Sequence, residues 1–166
     1  NMDVTNELKE GENVVISKVD NKRHRDNVPT QIFDWWNYGG ITRDVKLVKV
    51  PMHYLENYDL QLKKAANKAK VRELAFSAKM NAKEAGHQVE VYIPELKLKQ
   101  QFTTDAAGKV SGILKVAAKK LQLWCPENPK RYDVQLTLDA GMVADSIGFR
   151  TIETRDKQIL LNGKPI

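Results

Sequence analysis

The strongest constraint on this chain is a two-residue alternation of apolar side chains, repeated in short segments. "HQVEVYI" puts Val89, Val91 and Ile93 on one face, and "RYDVQLTLD" does the same with Val134, Leu136 and Leu138. "NYDLQLKK" aligns Tyr58, Leu60 and Leu62, and "VSGILKVA" aligns Val110, Gly112, Leu114 and Val116. Successive side chains of a strand point to opposite faces, so each segment reads as a strand with one buried and one solvated side. Breaks such as "NAKEAG" and "DAAGK" separate them. Several short strands at this spacing predict an all-β antiparallel sandwich.

One segment is ambiguous. In "NKAKVRELAFSAKMNAKEAG", Val71, Leu74, Ala75, Ala78 and Ala82 fit a helical stripe, and the Ala, Lys and Glu content favours a helix. Leu74, Phe76, Ala78 and Met80 equally fit one face of a strand. Strand patterns lie on both sides, and a sandwich has no place for a lone helix, so we assign a strand. Pro29 and Pro51 bracket the stretch "FDWWNYGGITR", and Pro126 and Pro129 bracket "CPENP". Proline cannot donate to a ladder, so each marks an edge or a connection.

Composition excludes several classes. The 166 residues are 42% apolar and 29% charged, which is globular rather than disordered. No apolar run is long enough to span a membrane, and no signal peptide is visible. The net charge of +6 invites a nucleic-acid partner, but most lysines alternate with apolar residues, as on a solvated sheet face. The single basic run, "NKRHR", sits between Asp20 and Asp26, so an exposed loop is expected there. Cys125 is the only cysteine, which excludes an internal disulfide. His24, His53 and His87 are far apart in sequence and lack cysteine partners at zinc-site spacing, so no metal site and no cofactor are expected.

Three motifs carry a family resemblance. "FDWWNYGGITRDVKLVKVP" resembles the end of the sugar-binding jelly-roll domain of glycoside hydrolase family 2, which includes β-galactosidases, β-glucuronidases and β-mannosidases. "LQLWCPENPKRYDVQLTLD" is similar to the W-x-P-x-x-P-x-x-Y segment of that family's immunoglobulin-like domain. "DSIGFRTIETRDKQILLNGKPI" resembles that domain's last strand and the hairpin leading into the catalytic barrel.

The resemblance implies residues 1–49 as the last jelly-roll strands, 50–152 as an immunoglobulin-like antiparallel β-sandwich, and 153–166 as a hairpin leading to a (β/α)₈ barrel outside this chain. It implies that the catalytic glutamates lie on that barrel, so no catalytic residue is assigned here. Glu127 in "CPENP" mimics a barrel motif but belongs to the sandwich segment. It implies that Asp34 reaches the active site of the whole enzyme and clamps sugar hydroxyls. Trp35, Trp36 and Asn37 join it as candidate substrate-binding residues, with at least one of the two tryptophans expected in a core or interface. Gly39 and Gly40 would allow a tight turn, and Arg43 would pair with an acid. Trp124 and Tyr132 are expected as sandwich core and corner residues, and Cys125 as an inert buried thiol.

The expected function is that of a non-catalytic portion orienting two domains of a retaining glycosidase acting on terminal β-linked sugars. The alternative is a stand-alone β-sandwich binding or adhesion module. The expected partners are a carbohydrate substrate in the full-length enzyme and the catalytic barrel, without nucleic acid or membrane, and a homo-oligomer with a second copy of the chain stays open. Periplasmic, secreted and cytoplasmic locations all stay open.

Overall fold

The computed structural model describes residues 2–26, 38–64 and 69–166. The chain divides into two units, Asn1–Val48 and Lys49–Ile166. Among the described residues of the first unit there is no strand. Local side-chain contacts shape it instead. The Asp3 carboxylate accepts from the Thr5 amide at 2.9 Å and the Thr5 hydroxyl at 2.6 Å. The Asn13 side chain bridges the backbone of Lys9 and Gly11. Gly40 has φ +96°, a conformation that glycine adopts without strain. Val14, Val15, Ile16, Val45, Leu47 and Val48 are all exposed.

Among the described residues, the second unit carries every strand. In chain order these are β1 (Leu55–Leu62), β2 (Val71–Met80), β3 (Gln88–Ile93), β4 (Leu98–Thr103), β5 (Lys109–Ala117), β6 (Tyr132–Leu138), β7 (Gly141–Ile147), β8 (Ile152–Arg155), β9 (Gln158–Leu161) and β10 (Lys164–Pro165). They form antiparallel sheets of order β1-β2-β5, β4-β3-β6-β7 and β10-β9-β8. The first two are the layers of a seven-stranded sandwich, the architecture of an immunoglobulin-like domain.

The core follows the alternation. Leu60, Leu62, Leu74, Phe76, Ala78, Met80, Val110, Leu114 and Val116 are buried from one sheet, and Val89, Val91, Ile93, Tyr132, Val134, Leu136 and Leu138 from the other. The Ala-rich segment is strand β2. Its ladders run Leu62↔Leu74 and Leu60↔Phe76 to β1, and Leu74↔Leu114 and Ala78↔Val110 to β5. A central strand gains two ladders and a buried face, which outweigh the few tenths of a kcal/mol per residue by which Ala, Glu and Lys favour helix.

Gly112 breaks the apolar alternation of β5 for a packing reason. A Cβ there would lie 2.0 Å from Cε1 of Phe102, so the missing side chain makes room for that ring. Phe102 comes from β4 of the opposite sheet and packs on Phe76 with ring centroids 5.3 Å apart. A glycine inside a strand commonly marks such a close approach.

The β9–β10 hairpin turns on Asn162-Gly163, with φ +51° and +80°. Positive φ at both central positions is what this dipeptide supplies in two-residue hairpins. The Asn162 side chain then ties the hairpin to the sandwich. It accepts from the Thr151 amide at 3.0 Å and donates to the Trp124 carbonyl at 2.9 Å.

Candidate functional site

Four polar side chains meet at one pole of the sandwich. His53 precedes β1, Glu84 and His87 lie between β2 and β3, and Asp139 opens the two-residue turn between β6 and β7. The antiparallel ladders require this meeting. β2 ends where β1 begins, β3 starts from the same pole, and Val89 near its start pairs with Leu138 at the end of β6.

Each approach is braced. The Asn81 side chain accepts from the Tyr54 amide at 2.9 Å and donates to the Met52 carbonyl at 2.9 Å, so it clasps the backbone on both sides of His53. Buried Thr104 does the same for the other loop. Its hydroxyl donates to the Glu84 carbonyl at 2.9 Å and accepts from the His87 amide at 3.1 Å. Its own amide donates to the His87 carbonyl at 3.0 Å, and its carbonyl accepts from the Gly86 amide at 3.1 Å. Asp139 takes φ +49° in its turn, a conformation that aspartate tolerates better than most residues.

The side chains form a closed arrangement. Asp139 Oδ2 lies 3.1 Å from Nδ1 of His53 and 3.1 Å from Nδ1 of His87. Glu84 Oε2 lies 3.2 Å from Nε2 of His87 and 3.7 Å from Nε2 of His53. The two imidazoles meet edge to face, with centroids 4.5 Å apart and planes at 74°. The histidine side chains are 27% and 18% exposed, whereas Glu84 and Asp139 are 55% and 43% exposed, so the pair of rings is sheltered while the carboxylates face water.

The charges respond to one another. The hydrogen bond to Glu84 raises the His87 imidazole above its ordinary pKa, against a smaller opposing effect of desolvation and with further help from Asp139. Desolvation is the largest influence on Asp139 and pushes it up. Hydrogen bonds from His53 and His87, with their charges, together outweigh it and hold the carboxyl below its usual range. Among the described residues, His53, Glu84 and His87 are the group whose donor atoms could hold a metal ion, all lying within 4.8 Å of one another.

The sequence separation of His53 and His87 pointed away from this cluster. Sandwich topology brings them together regardless of the residues between, and the signal that could have found them is their shared position just before a strand that starts at the same pole. The residues expected to bind substrate, Asp34, Trp35, Trp36 and Asn37, lie outside the described residues. Tyr38 beside them is exposed.

The segment around "CPENP" differs in part from expectation. Tyr132 is buried on Phe149, with ring centroids 5.8 Å apart, and its hydroxyl accepts from the Gln122 amide at 2.8 Å, ten residues upstream. Trp124 is only half-buried. Its ring lies against Gly148, where a Cβ would stand 2.8 Å from Cδ1, and the Arg150 guanidinium carbon sits 5.3 Å from its centroid. Cys125 is likewise half-buried. Its backbone closes a turn with Asn128 through hydrogen bonds of 3.1 and 3.0 Å, which presents Glu127 to solvent at the tip.

Known proteins place the chain. The family model described as Glycosyl hydrolases family 2 matches residues 53–150, the whole sandwich. A putative beta-glucuronidase of Formosa agariphila is 30% identical over 184 residues, an alignment covering 99% of this chain and 21% of the relative. A beta-galactosidase of Oenococcus oeni is 29% identical over 149 residues, covering 80% of this chain and 14% of the relative. The Ruminococcus gnavus beta-glucuronidase structure superposes with a TM-score of 0.53 at 19% identity, covering 70% of this chain and 18% of that one, which bears on the fold alone. The chain thus spans about a fifth or less of the length of these relatives. With the family model matching more than half of the chain and spanning the whole sandwich, the chain belongs to glycosyl hydrolases family 2.

Proposed function

We propose that this chain is the non-catalytic β-sandwich portion of a retaining glycoside hydrolase that acts on terminal β-linked sugars. One observation carries the reading: the family match covers the sandwich, while relatives named as glycosidases align over only a small part of their length. In this reading residues 1–49 close a sugar-binding jelly roll, residues 50–152 form the spacer, and residues 153–166 lead toward a catalytic barrel. The sandwich orients the two neighbouring domains. Its rigidity suits that task, since two layers of paired strands resist bending better than a linker does.

Asp34 is the residue of this chain that we assign to substrate. A carboxylate accepts charge-assisted hydrogen bonds from neighbouring sugar hydroxyls, and such contacts strengthen as the ring distorts toward the transition state. Trp35, Trp36 and Asn37 complete that side of the pocket. Losing a charged acceptor costs roughly 1.5–3 kcal/mol, and each 1.4 kcal/mol is about tenfold in rate.

In the intact enzyme, Asp34→Ala is therefore expected to lower kcat/KM by at least about tenfold while leaving the fold unchanged. Full activity in that variant would remove Asp34 from the substrate site, and an unfolded protein would mark it as a structural acid. The 166-residue chain itself is expected to leave nitrophenyl β-glycosides intact. Turnover that Glu127→Gln abolishes would overturn the non-catalytic assignment.

A further inference from the structure

We propose that His53, Glu84 and His87 form a binding site for one divalent transition-metal ion of the zinc class, with Asp139 holding both imidazoles in the tautomer that binds it. The inference is independent of the function proposed above and rests on the geometry of the four side chains.

The tautomers come first. Asp139 Oδ2 belongs to a carboxylate and can only accept, so Nδ1 of His53 and Nδ1 of His87, each at 3.1 Å, are both donors. In the neutral rings both Nε2 atoms then carry lone pairs. Both face Glu84 Oε2, at 3.7 and 3.2 Å. Three lone-pair-bearing atoms directed at one space call for a cation. A proton on Nε2 of His87 could bridge only the 3.2 Å gap to Glu84, and Nε2 of His53, at 3.7 Å, would stay outside hydrogen-bond reach. One metal ion satisfies all three atoms and leaves both rings neutral.

The distances suit such an ion. Zinc takes imidazole nitrogen and carboxylate oxygen at about 2.0–2.2 Å, so neighbouring ligands of a tetrahedral ion stand roughly 3.3–3.6 Å apart. The two carboxylate-to-imidazole distances, 3.2 and 3.7 Å, bracket that range, and all three donor atoms lie within 4.8 Å of one another. Two imidazoles and one carboxylate favour zinc, cobalt or nickel over magnesium or calcium, which prefer oxygen ligands. Asp139 has the place of the outer carboxylate that commonly stands behind metal-bound histidines, here serving two rings at once. Asn81 and Thr104 hold the backbone that carries the three ligands, so the donors are placed before an ion arrives. The exposure of Glu84 leaves a way in for the ion and a fourth position open to water. A bound ion would join the segment before β1 to the β2–β3 loop, tying together the two sheets at this pole.

The test uses the full chain, stripped with a chelator and titrated calorimetrically with zinc chloride, with Co²⁺ as a visible-absorption probe. One ion per chain is expected, with Co²⁺ bands typical of four or five ligands and a melting temperature that rises with zinc concentration. Asp139→Ala is expected to weaken binding about 10–100-fold, and Asp139→Asn, which keeps an acceptor oxygen, to recover part of that loss. His53→Ala and His87→Ala should each cost more than Asp139→Ala. His24→Ala should change nothing. His53→Gln and His87→Gln serve in their place if the alanine variants do not fold. No zinc uptake by the wild-type chain, uptake that survives loss of both His53 and His87, or uptake lost with His24 would each overturn the proposal.

Discussion

The Thr104 hydroxyl offers a sharp test of how the pole of the sandwich is held. Thr104 is 4% exposed, and its hydroxyl is bonded on both sides, to the Glu84 carbonyl and the His87 amide. Thr104→Val keeps the shape of the side chain and removes both bonds, while the two backbone hydrogen bonds of residue 104 remain. Each lost hydrogen bond costs roughly 1 kcal/mol net, and a buried group left unpaired costs about 1–3 kcal/mol. The Glu84 carbonyl and the His87 amide are partly reached by water, so the lower end applies and the variant should lose about 2 kcal/mol. Thr104→Ser keeps both bonds and loses one methyl, which costs about 0.8 kcal/mol. Urea unfolding followed by far-ultraviolet circular dichroism, with chelator present, should rank wild type above serine above valine with an unchanged m-value. The valine variant should melt roughly 8 °C lower, at about 4 °C per kcal/mol. Burial alone predicts valine above wild type above serine, because apolar content falls in that order. A valine variant as stable as wild type, or a serine variant worse than valine, would refute the hydrogen-bond account.

Gly112→Val should destabilise the sandwich by at least about 1–3 kcal/mol in the same assay, because its side chain would overlap the Phe102 ring. A companion Phe102→Ala should recover part of that loss, and additive effects would argue against direct contact. Tyr58 should give the fold a pH-dependent contribution on both sides of neutrality. Desolvation, its hydrogen bond to Asp145 and the Asp145 charge raise the phenol from 10.0 to about 12, so this stabilisation is complete below pH 10 and disappears as pH climbs toward 12. The same hydrogen bond, with that from the Ser146 amide, lowers the Asp145 pKa, so its contribution is present above about pH 3.8 and is lost in acid. The stability difference between wild type and Tyr58→Phe, measured across pH, should shrink at both extremes, and a flat difference would count against the pairing. Tyr132→Phe should cost roughly 1–2 kcal/mol, since it orphans the Gln122 amide without opening a cavity. Tyr132→Ala should cost about 3–5 kcal/mol, since it empties the space against Phe149. Equal losses in the two variants would remove the hydroxyl from the account.

Much of the fold could be read from local pattern, because a strand with one buried face needs an apolar residue at every second position. Val89, Val91 and Ile93, or Val134, Leu136 and Leu138, could satisfy that need in only one way, and all six are buried. The turn of the hairpin at Asn162-Gly163, expected only from the family resemblance, has an equally local cause, since positive φ at both positions suits this dipeptide. Residues 71–80 were not decided locally. Their propensity favoured helix, and only the ladders to β1 and β5 made them a strand. The role of Gly112 also needed the opposite sheet, because nothing along β5 announces the Phe102 ring that occupies its place. The candidate site lay furthest from view. His53 and His87 are 34 residues apart in sequence and His53 and Asp139 are 86 apart, yet their side chains meet through hydrogen bonds. Alternation determines which way a side chain faces, whereas the order in which strands pair determines which loops share a pole. The first is written residue by residue; the second exists only once both sheets have formed.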